Sequence, residues 1–272
     1  MKLNNKIVVI TGASSGIGKA LAFEFASRGA SVVLGARQYV TLCELTEQLE
    51  KQHGVKALAV QCDVSKEDDC VALIKQAVAT FGRIDVLVNN AGISMRALFN
   101  KDLDLNVLKT LMDVNFWGMV YCTKHAYPEI LKNKGSIVGV SSIAGYKGLP
   151  GRTGYSASKF AMNGFLDSLR VENLKTGVHV MTACPGFTAS NIRNTALNKS
   201  GNQQGESSME EEKMMTAEEV AKRIVYGVEN RSRTLIMTGQ GKLTVALSKF
   251  IPAVLDKLVY NVFAKEKDPL LK

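Results

Sequence analysis

Metal-binding and disulfide patterns are missing from this chain. Its three histidines, His53, His125 and His179, are scattered, and its five cysteines (Cys43, Cys62, Cys70, Cys122 and Cys184) contain no CxxC pair. An odd number of unpatterned cysteines excludes a disulfide framework and a zinc site; it fits reduced, mostly buried thiols in a reducing compartment. Long apolar runs are missing too. The run at 7–10 stops at Thr11-Gly12, too short for a signal-peptide core and better read as a buried strand. The tail at 243–264 is strongly apolar, but Lys249, Pro252, Asp256 and Lys257 interrupt it, so it is not a clean membrane span. No element interleaves a basic cluster with aromatics, so the net charge of +9 does not point to nucleic acid. Attraction for an anionic cofactor, substrate or membrane surface accounts for the charge as well as a merely solvated surface does.

What is present is an alternation of strands and helices, without repeat or linker before residue 190. It predicts one doubly wound α/β domain with a mainly parallel sheet, seven-stranded, and 272 residues suffice for its core. A strand at 6–11 runs into Thr11-Gly12-Ala13-Ser14-Ser15-Gly16-Ile17-Gly18, and apolar residues then recur at helical spacing up to Gly29. Such a turn presents unpaired amides to a phosphate, and its glycines let the backbone approach a pyrophosphate. Gly12, Ser14, Ser15, Gly16, Ile17 and Gly18 are therefore candidate cofactor contacts, although the spacing is GxxxGxG rather than GxGxxG. A second strand, 31–36, ends in Ala36-Arg37, with no acid to bind a ribose 2′-hydroxyl. An arginine there pairs with a 2′-phosphate, which favours NADP(H) over NAD(H).

Thr41 and Glu44 read as a capping box for a helix to about 54. A strand at 56–62 leads to Asp63-Val64, and Ser65 with Asp68 suggests the next helix start. Asp63 is placed either to bind the adenine amine or to hydrogen-bond nearby backbone. A strand at 84–88 closes on Asn89-Asn90-Ala91-Gly92, small and amide residues suited to the ligand crevice of a parallel sheet. Asn115 lies among apolar residues in a helical pattern at 104–132 and needs buried partners. The strand at 136–141 precedes Ser142, a flexible stretch at 145–154, and a helix bearing Tyr155 and Lys159 four residues apart on one face. A fixed ammonium beside a phenol favours the phenolate, so this pair is a candidate proton-transfer device. A strand at 177–183 leads to Cys184-Pro185-Gly186-Phe187-Thr188. The polar stretch 190–215 reads as a mobile lid. Thr216 and Glu219 cap a helix to about 230, and 234–238 is the last strand. For the tail, three roles compete: cover of the pocket, subunit interface, or interfacial membrane anchor.

In order along the chain, Thr11-Gly12-xxx-Gly16-Ile17-Gly18, Asn89-Asn90-Ala91-Gly92, Asn115, Ser142, Tyr155-xxx-Lys159 and Pro185-Gly186 resemble the classical short-chain dehydrogenase/reductases over roughly residues 4–190. Ala36-Arg37 and the run from Tyr155 to Ala161 look like the NADP-preferring members, such as the 11-beta-hydroxysteroid dehydrogenases and the dehydrogenase/reductase member 7 group. Several of those carry an N-terminal membrane helix, which this chain is expected to lack. The resemblance implies a Rossmann-type fold and NADP(H)-dependent interconversion of a carbonyl and a secondary alcohol. It implies Tyr155 as general acid/base, Lys159 lowering its pKa and binding the nicotinamide ribose, Ser142 on the substrate oxygen, and Asn115 holding a relay water. Asp63, Val64, Asn90, Ala91, Gly92, Pro185, Gly186 and Thr188 join the cofactor contacts. The pocket walls are expected around 94–96, 146–154, Phe187 and the lid. The tail and Met209, Met214 and Met215 hint at a lipid, steroid or acyl ketone. The expected protein is a cytoplasmic homodimer or homotetramer, with peripheral membrane contact through the tail as a further option. A non-catalytic NADP(H)-binding sensor or scaffold is the alternative.

Overall fold

Alternate residues of the first strand face two different cores, which is what a strand buried on both sides requires. In the computed structural model, Val8 and Ile10 of β1 (Ile7–Thr11) join one apolar cluster and Ile7 and Val9 the other. The structure describes residues 1–186, 188, 192–205, 214–265 and 269–271. The elements that follow are α1 (Gly16–Ser27), β2 (Ser31–Ala36), α2 (Tyr39–His53), β3 (Ala57–Gln61), α3 (Glu67–Phe81), β4 (Val86–Asn89) and α4 (Leu105–Met112). Then come α5 (Gly118–Lys132), β5 (Ser136–Val140), α6 (Thr153–Glu172), β6 (His179–Cys184), α7 (Ala217–Glu229), β7 (Thr234–Ile236), α8 (Gly239–Phe250) and α9 (Pro252–Phe263).

The seven strands form one sheet in the order β3-β2-β1-β4-β5-β6-β7, and every pairing is parallel. On one face, Leu21 and Phe25 of α1, Leu42 and Leu45 of α2, and Val220 and Ile224 of α7 pack together. On the other lie Leu73 of α3, Met119 and Ile130 of α5, and Leu166 of α6. After β3 the chain crosses the sheet to lay β4 beside β1, so the direction of winding reverses between β1 and β4. A crevice opens there at the carboxyl ends of the strands. The opposite end is closed by Asp85, whose carboxylate accepts from Ile7 N (3.0 Å), Lys6 Nζ (3.0 Å) and Arg83 Nε (2.9 Å).

Several boundaries differ from the sequence reading. Helix α2 starts at Tyr39, so Thr41 lies inside its first turn and makes no capping box with Glu44. The preceding Gln38 instead accepts from Ser14 Oγ at 2.7 Å, so a tertiary contact marks the helix start. Helix α3 starts at Glu67; Ser65 bonds back to Asp63 Oδ1 through its amide (3.1 Å) and its hydroxyl (2.7 Å). The 104–132 pattern is helical but contains a wide turn at Asp113–Trp117, where Gly118 N–H bonds five residues back to Asp113 O. The Thr216–Glu219 capping box forms as expected, with both reciprocal bonds at 3.1 Å. The tail is two helices, broken at Ile251-Pro252.

The stretches expected to be loose are tied down where they are described. Within 145–154, Arg152 N bonds Leu149 O (3.1 Å) and Gly151 O accepts from Ala97 N (2.9 Å). Of the expected lid, 192–205 folds as a short ribbon seated on residues 94–104. Leu197 exchanges backbone bonds with Ser94 and Arg96, both 2.9 Å, and Gln204 N bonds Ala196 O at 2.9 Å. Residues 190–191 and 206–213, with Met209, and Phe187 lie outside the described residues.

Candidate active site

A cleft of about 420 Å³ lies at the crevice between β1 and β4. Its floor begins with the glycine-rich turn. Gly12 has φ +65°, and a Cβ there would sit 2.8 Å from Ala91 Cα. At Gly18 a Cβ would run into the Gly12 carbonyl, so the helix can pack this close to the turn only without a side chain. Ser15 caps α1 with extended backbone and no side-chain bond, so the first amides of the helix are offered to the cleft. Gly12, Ser14, Ser15, Gly16 and Ile17 line it; Gly18 supports from behind. The turn is clasped from β4. Thr11 Oγ1 accepts from Asn90 N and Ala91 N, both 3.1 Å, and Asn90 Nδ2 donates to Thr11 O (3.0 Å) and Gly12 O (3.2 Å). Asn90, Ala91 and Gly92 all reach the cleft, but the Asn90 amide is spent on the turn.

Beyond the turn the wall passes to Ala36, exposed Arg37, Gln38, Cys62, Asp63 and Val64. Asp63 thus lies at the cleft while one carboxylate oxygen serves its own loop through Ser65. Pro185, Gly186 and Thr188 line the cleft after β6, with Thr188 Oγ1 donating to Gly186 O at 3.1 Å.

The four expected catalytic residues converge, in two layers. Ser142, Tyr155 and Lys159 line the cleft. Ser142 lies close enough to Tyr155 to favour its phenolate, and its Oγ accepts from Ala144 N at 3.1 Å, which fixes its rotamer. Lys159 is 3% exposed, and its Nζ donates to Val140 O at 2.9 Å and stands 5.7 Å from the centre of the Tyr155 ring. Burial pushes Lys159 down to about 8, against a smaller opposing effect of Cys184. Burial likewise raises the Tyr155 phenol above its ordinary value; the Ser142 hydroxyl and the charges of Arg152 and Arg193 pull the other way without reversing it. The expected lowering of Tyr155 by Lys159 is not found, because desolvation dominates and the ammonium is turned to the Val140 carbonyl.

Asn115, 1% exposed, does not reach the cleft. Its Oδ1 accepts from Ile93 N (2.8 Å), and its Nδ2 donates to Ile93 O (3.0 Å) and Ser158 Oγ (2.9 Å). Ser158 Oγ in turn donates to Tyr155 O at 2.8 Å. The Asn115 side chain therefore ties the loop after β4 to the Tyr155 helix. At Gly92 a Cβ would lie 3.2 Å from Asn115 Oδ1 and 3.6 Å from Lys159 Nζ, so the glycine leaves room for both.

The cleft wall includes Arg152, from the expected 146–154 stretch, and Ile192, Arg193, Thr195, Leu197 and Gln203, from the expected lid; the sequence reading missed Gln38, Thr110 and Ser141. The residues of 192–205 carry no periodic signal and reach the cleft only through their bonds to 94–104. No metal-binding cluster occurs among the described residues.

A sheet wound in this order, with a phosphate-type turn at one end of its crevice and a Ser–Tyr–Lys group at the other, defines a dinucleotide-dependent reductase or dehydrogenase architecture. The family model for short chain dehydrogenases matches residues 6–201, and the chain belongs to that family. It is 43% identical over 188 residues to 11-beta-hydroxysteroid dehydrogenase A of Arachis hypogaea, a match covering 69% of this chain and 53% of that protein. It is 31% identical over 274 residues to 11-beta-hydroxysteroid dehydrogenase-like 2 of Arabidopsis thaliana, covering 99% and 85%. The chain spans about half the length of the first of these curated relatives. The fold is shared with a short chain dehydrogenase/reductase from Burkholderia phymatum in complex with NAD (TM-score 0.82, 24% identity, 93% of this chain and 96% of that one). It is shared too with an alcohol dehydrogenase from the archaeon Thermococcus sibiricus complexed with 5-hydroxy-NADP (0.75, 24%, 85% and 94%).

Proposed function

We propose that this chain is an NADP(H)-dependent oxidoreductase that interconverts a carbonyl and a secondary alcohol on a hydrophobic substrate. The observation that carries this reading is the convergence of Ser142, Tyr155 and buried Lys159 in the same cleft as the glycine-rich turn. The residues present fit a dinucleotide: the turn is a cradle that a Cβ at Gly12 or Gly18 would fill. The Gly12–Ile17 turn would hold the pyrophosphate on the α1 amides. Arg37, beside Ser14 and Gln38, would pair with a 2′-phosphate. Bound NADPH supplies a hydride to the carbonyl carbon.

Tyr155 Oη gives its proton to the substrate oxygen in reduction and takes one in oxidation. Its raised pKa keeps the proton in place at neutral pH, which suits the reducing direction. Ser142 Oγ holds the substrate oxygen and stabilises the charge developing there. Lys159 brings a charged donor to the wall between Tyr155 and the nicotinamide end and would bind the ribose hydroxyls. Asn115 acts by positioning. Its side-chain donors are spent on Ile93 O and Ser158 Oγ, so a relay water at Asn115 would rest on the second lone pair of Oδ1 or on the main-chain carbonyl. Ile93, Val114, Leu149, Ile192 and Leu197 give the cleft apolar wall for a steroid, lipid or acyl ketone. The five unpaired thiols fit the reducing environment of the cytoplasm.

The test is NADPH and NADH binding to the purified protein, followed by a panel of steroid and long-chain ketones. Tighter NADPH binding and consumption with a hydrophobic ketone are expected. Full turnover in Tyr155→Phe, or no dinucleotide binding at all, overturns the reading.

A further inference from the structure

Exposed apolar side chains gather on the last two helices. Leu243, Phe250, Ile251, Val254, Leu258 and Val262 are each 44 to 81% exposed. On α9 the spacing 254, 258, 262 lays three of them along one stripe that borders the buried Leu255 and lies away from Phe263, and Ile251 precedes the helix. On α8, Leu243 and Phe250 lie seven residues apart on a common face. Four exposed lysines border these stripes: Lys242 and Lys249 on α8, Lys257 and Lys265 beside the α9 stripe. The one acid in 239–265 is Asp256, which faces the other way and pairs with Lys147. Neither helix is long and apolar enough to cross a bilayer.

An apolar stripe bordered by lysines and free of acids complements one surface well, a bilayer interface with anionic headgroups. A second copy packed face to face about a two-fold axis would set lysines against lysines instead. We propose that the outer face of α8 and α9 docks the protein on an anionic lipid surface, with the apolar side chains below the headgroups and the lysines among them. The inner side of α9 holds the loop that rims the cleft. Asp256 pairs with Lys147, Phe263 lies beside Pro150 and Arg152, and Leu149 and Arg152 also line the cleft. Docking would therefore bring the cleft rim to about one helix diameter, ~10 Å, from the lipid. A carbonyl substrate dissolved in the bilayer would then have a short path to Tyr155. The surface itself stands independently of the catalytic reading.

The test is flotation of the 272-residue chain with vesicles of phosphatidylcholine alone and of phosphatidylcholine with phosphatidylserine. The expected result is recovery with the phosphatidylserine vesicles, release by high salt, and little recovery with phosphatidylcholine alone. Phe250→Ser with Leu258→Ser changes only exposed positions; it should abolish recovery while NADPH binding and the circular dichroism spectrum stay unchanged. Lys249→Gln with Lys257→Gln should weaken binding by about fivefold for each lysine removed. Absence of the wild-type chain from the phosphatidylserine fraction overturns the proposal, as does recovery indifferent to these changes. A lipid-free dimer that Phe250→Ser with Leu258→Ser converts to monomer would assign the face to a second copy and overturn it as well.

Discussion

Burial moves Tyr155 and Lys159 in opposite directions, raising the phenol and lowering the ammonium, the latter to about 8. The phenol keeps its proton at neutral pH, and Lys159 is the first of the pair to lose one as the solution becomes alkaline. Carbonyl reduction should therefore be level through neutral pH and fall along a limb near pH 8, read from kcat/KM with NADPH. A profile that stays flat well above that value would detach Lys159 from the reaction. Tyr155→Phe should lower turnover by about 10²–10⁴-fold while leaving NADPH affinity nearly unchanged. At the other end of the cleft, Arg37→Ala should weaken NADPH by about tenfold and NADH hardly at all, measured by fluorescence titration. Much of this was legible in the residues: a Tyr–Lys pair on a helical face, a serine thirteen residues before it, an arginine at a strand end. The direction of the Tyr155 shift was not. It depends on how dry the site is and where the ammonium points, and both are set by residues far apart in the chain.

At the scale of elements, Asn115 is a brace between the loop after β4 and helix α6, set in the wide turn between α4 and α5. Its removal leaves the half-buried Ile93 amide and the buried Ser158 hydroxyl short of partners. Asn115→Ala should cost about 1–3 kcal/mol of unfolding free energy in a denaturant titration and lower kcat more than it raises KM. A variant as stable and as active as the parent would show that the brace is dispensable. Strands and the Thr216 cap could be read from local pattern because short-range chemistry decides them. The wide turn, the start of α2 at Tyr39 and the 192–205 ribbon could not, since each is fixed by partners tens of residues away: Ser14 for Gln38, Ser94 and Arg96 for Leu197.

Across the whole molecule, His179 joins three strand neighbourhoods. Its Nδ1 meets Ser136 Oγ of β5 at 3.1 Å, and its Nε2 meets Ser232 O before β7 at 2.9 Å. Burial lowers its pKa, so the folded chain holds it neutral where the unfolded chain would take up a proton. Its stabilising contribution is complete above the usual histidine value of about 6.5 and is lost as pH falls through the lower folded value. The melting temperature should drop on mild acidification, and His179→Gln should blunt that drop. Equal acid slopes in the two proteins would place the sensitivity elsewhere.

The clasp of Thr11 by Asn90 and Ala91 spans 79 and 80 residues of chain. It makes the nucleotide cradle a late product of folding, because the turn made by the first strand is held only after the fourth strand has found its place beside it. During refolding, dinucleotide fluorescence should then lag behind the recovery of helix. Synthesis on a ribosome would follow the same order: a nascent chain ending before Asn90 would own every glycine of the motif and still lack the grip that shapes it.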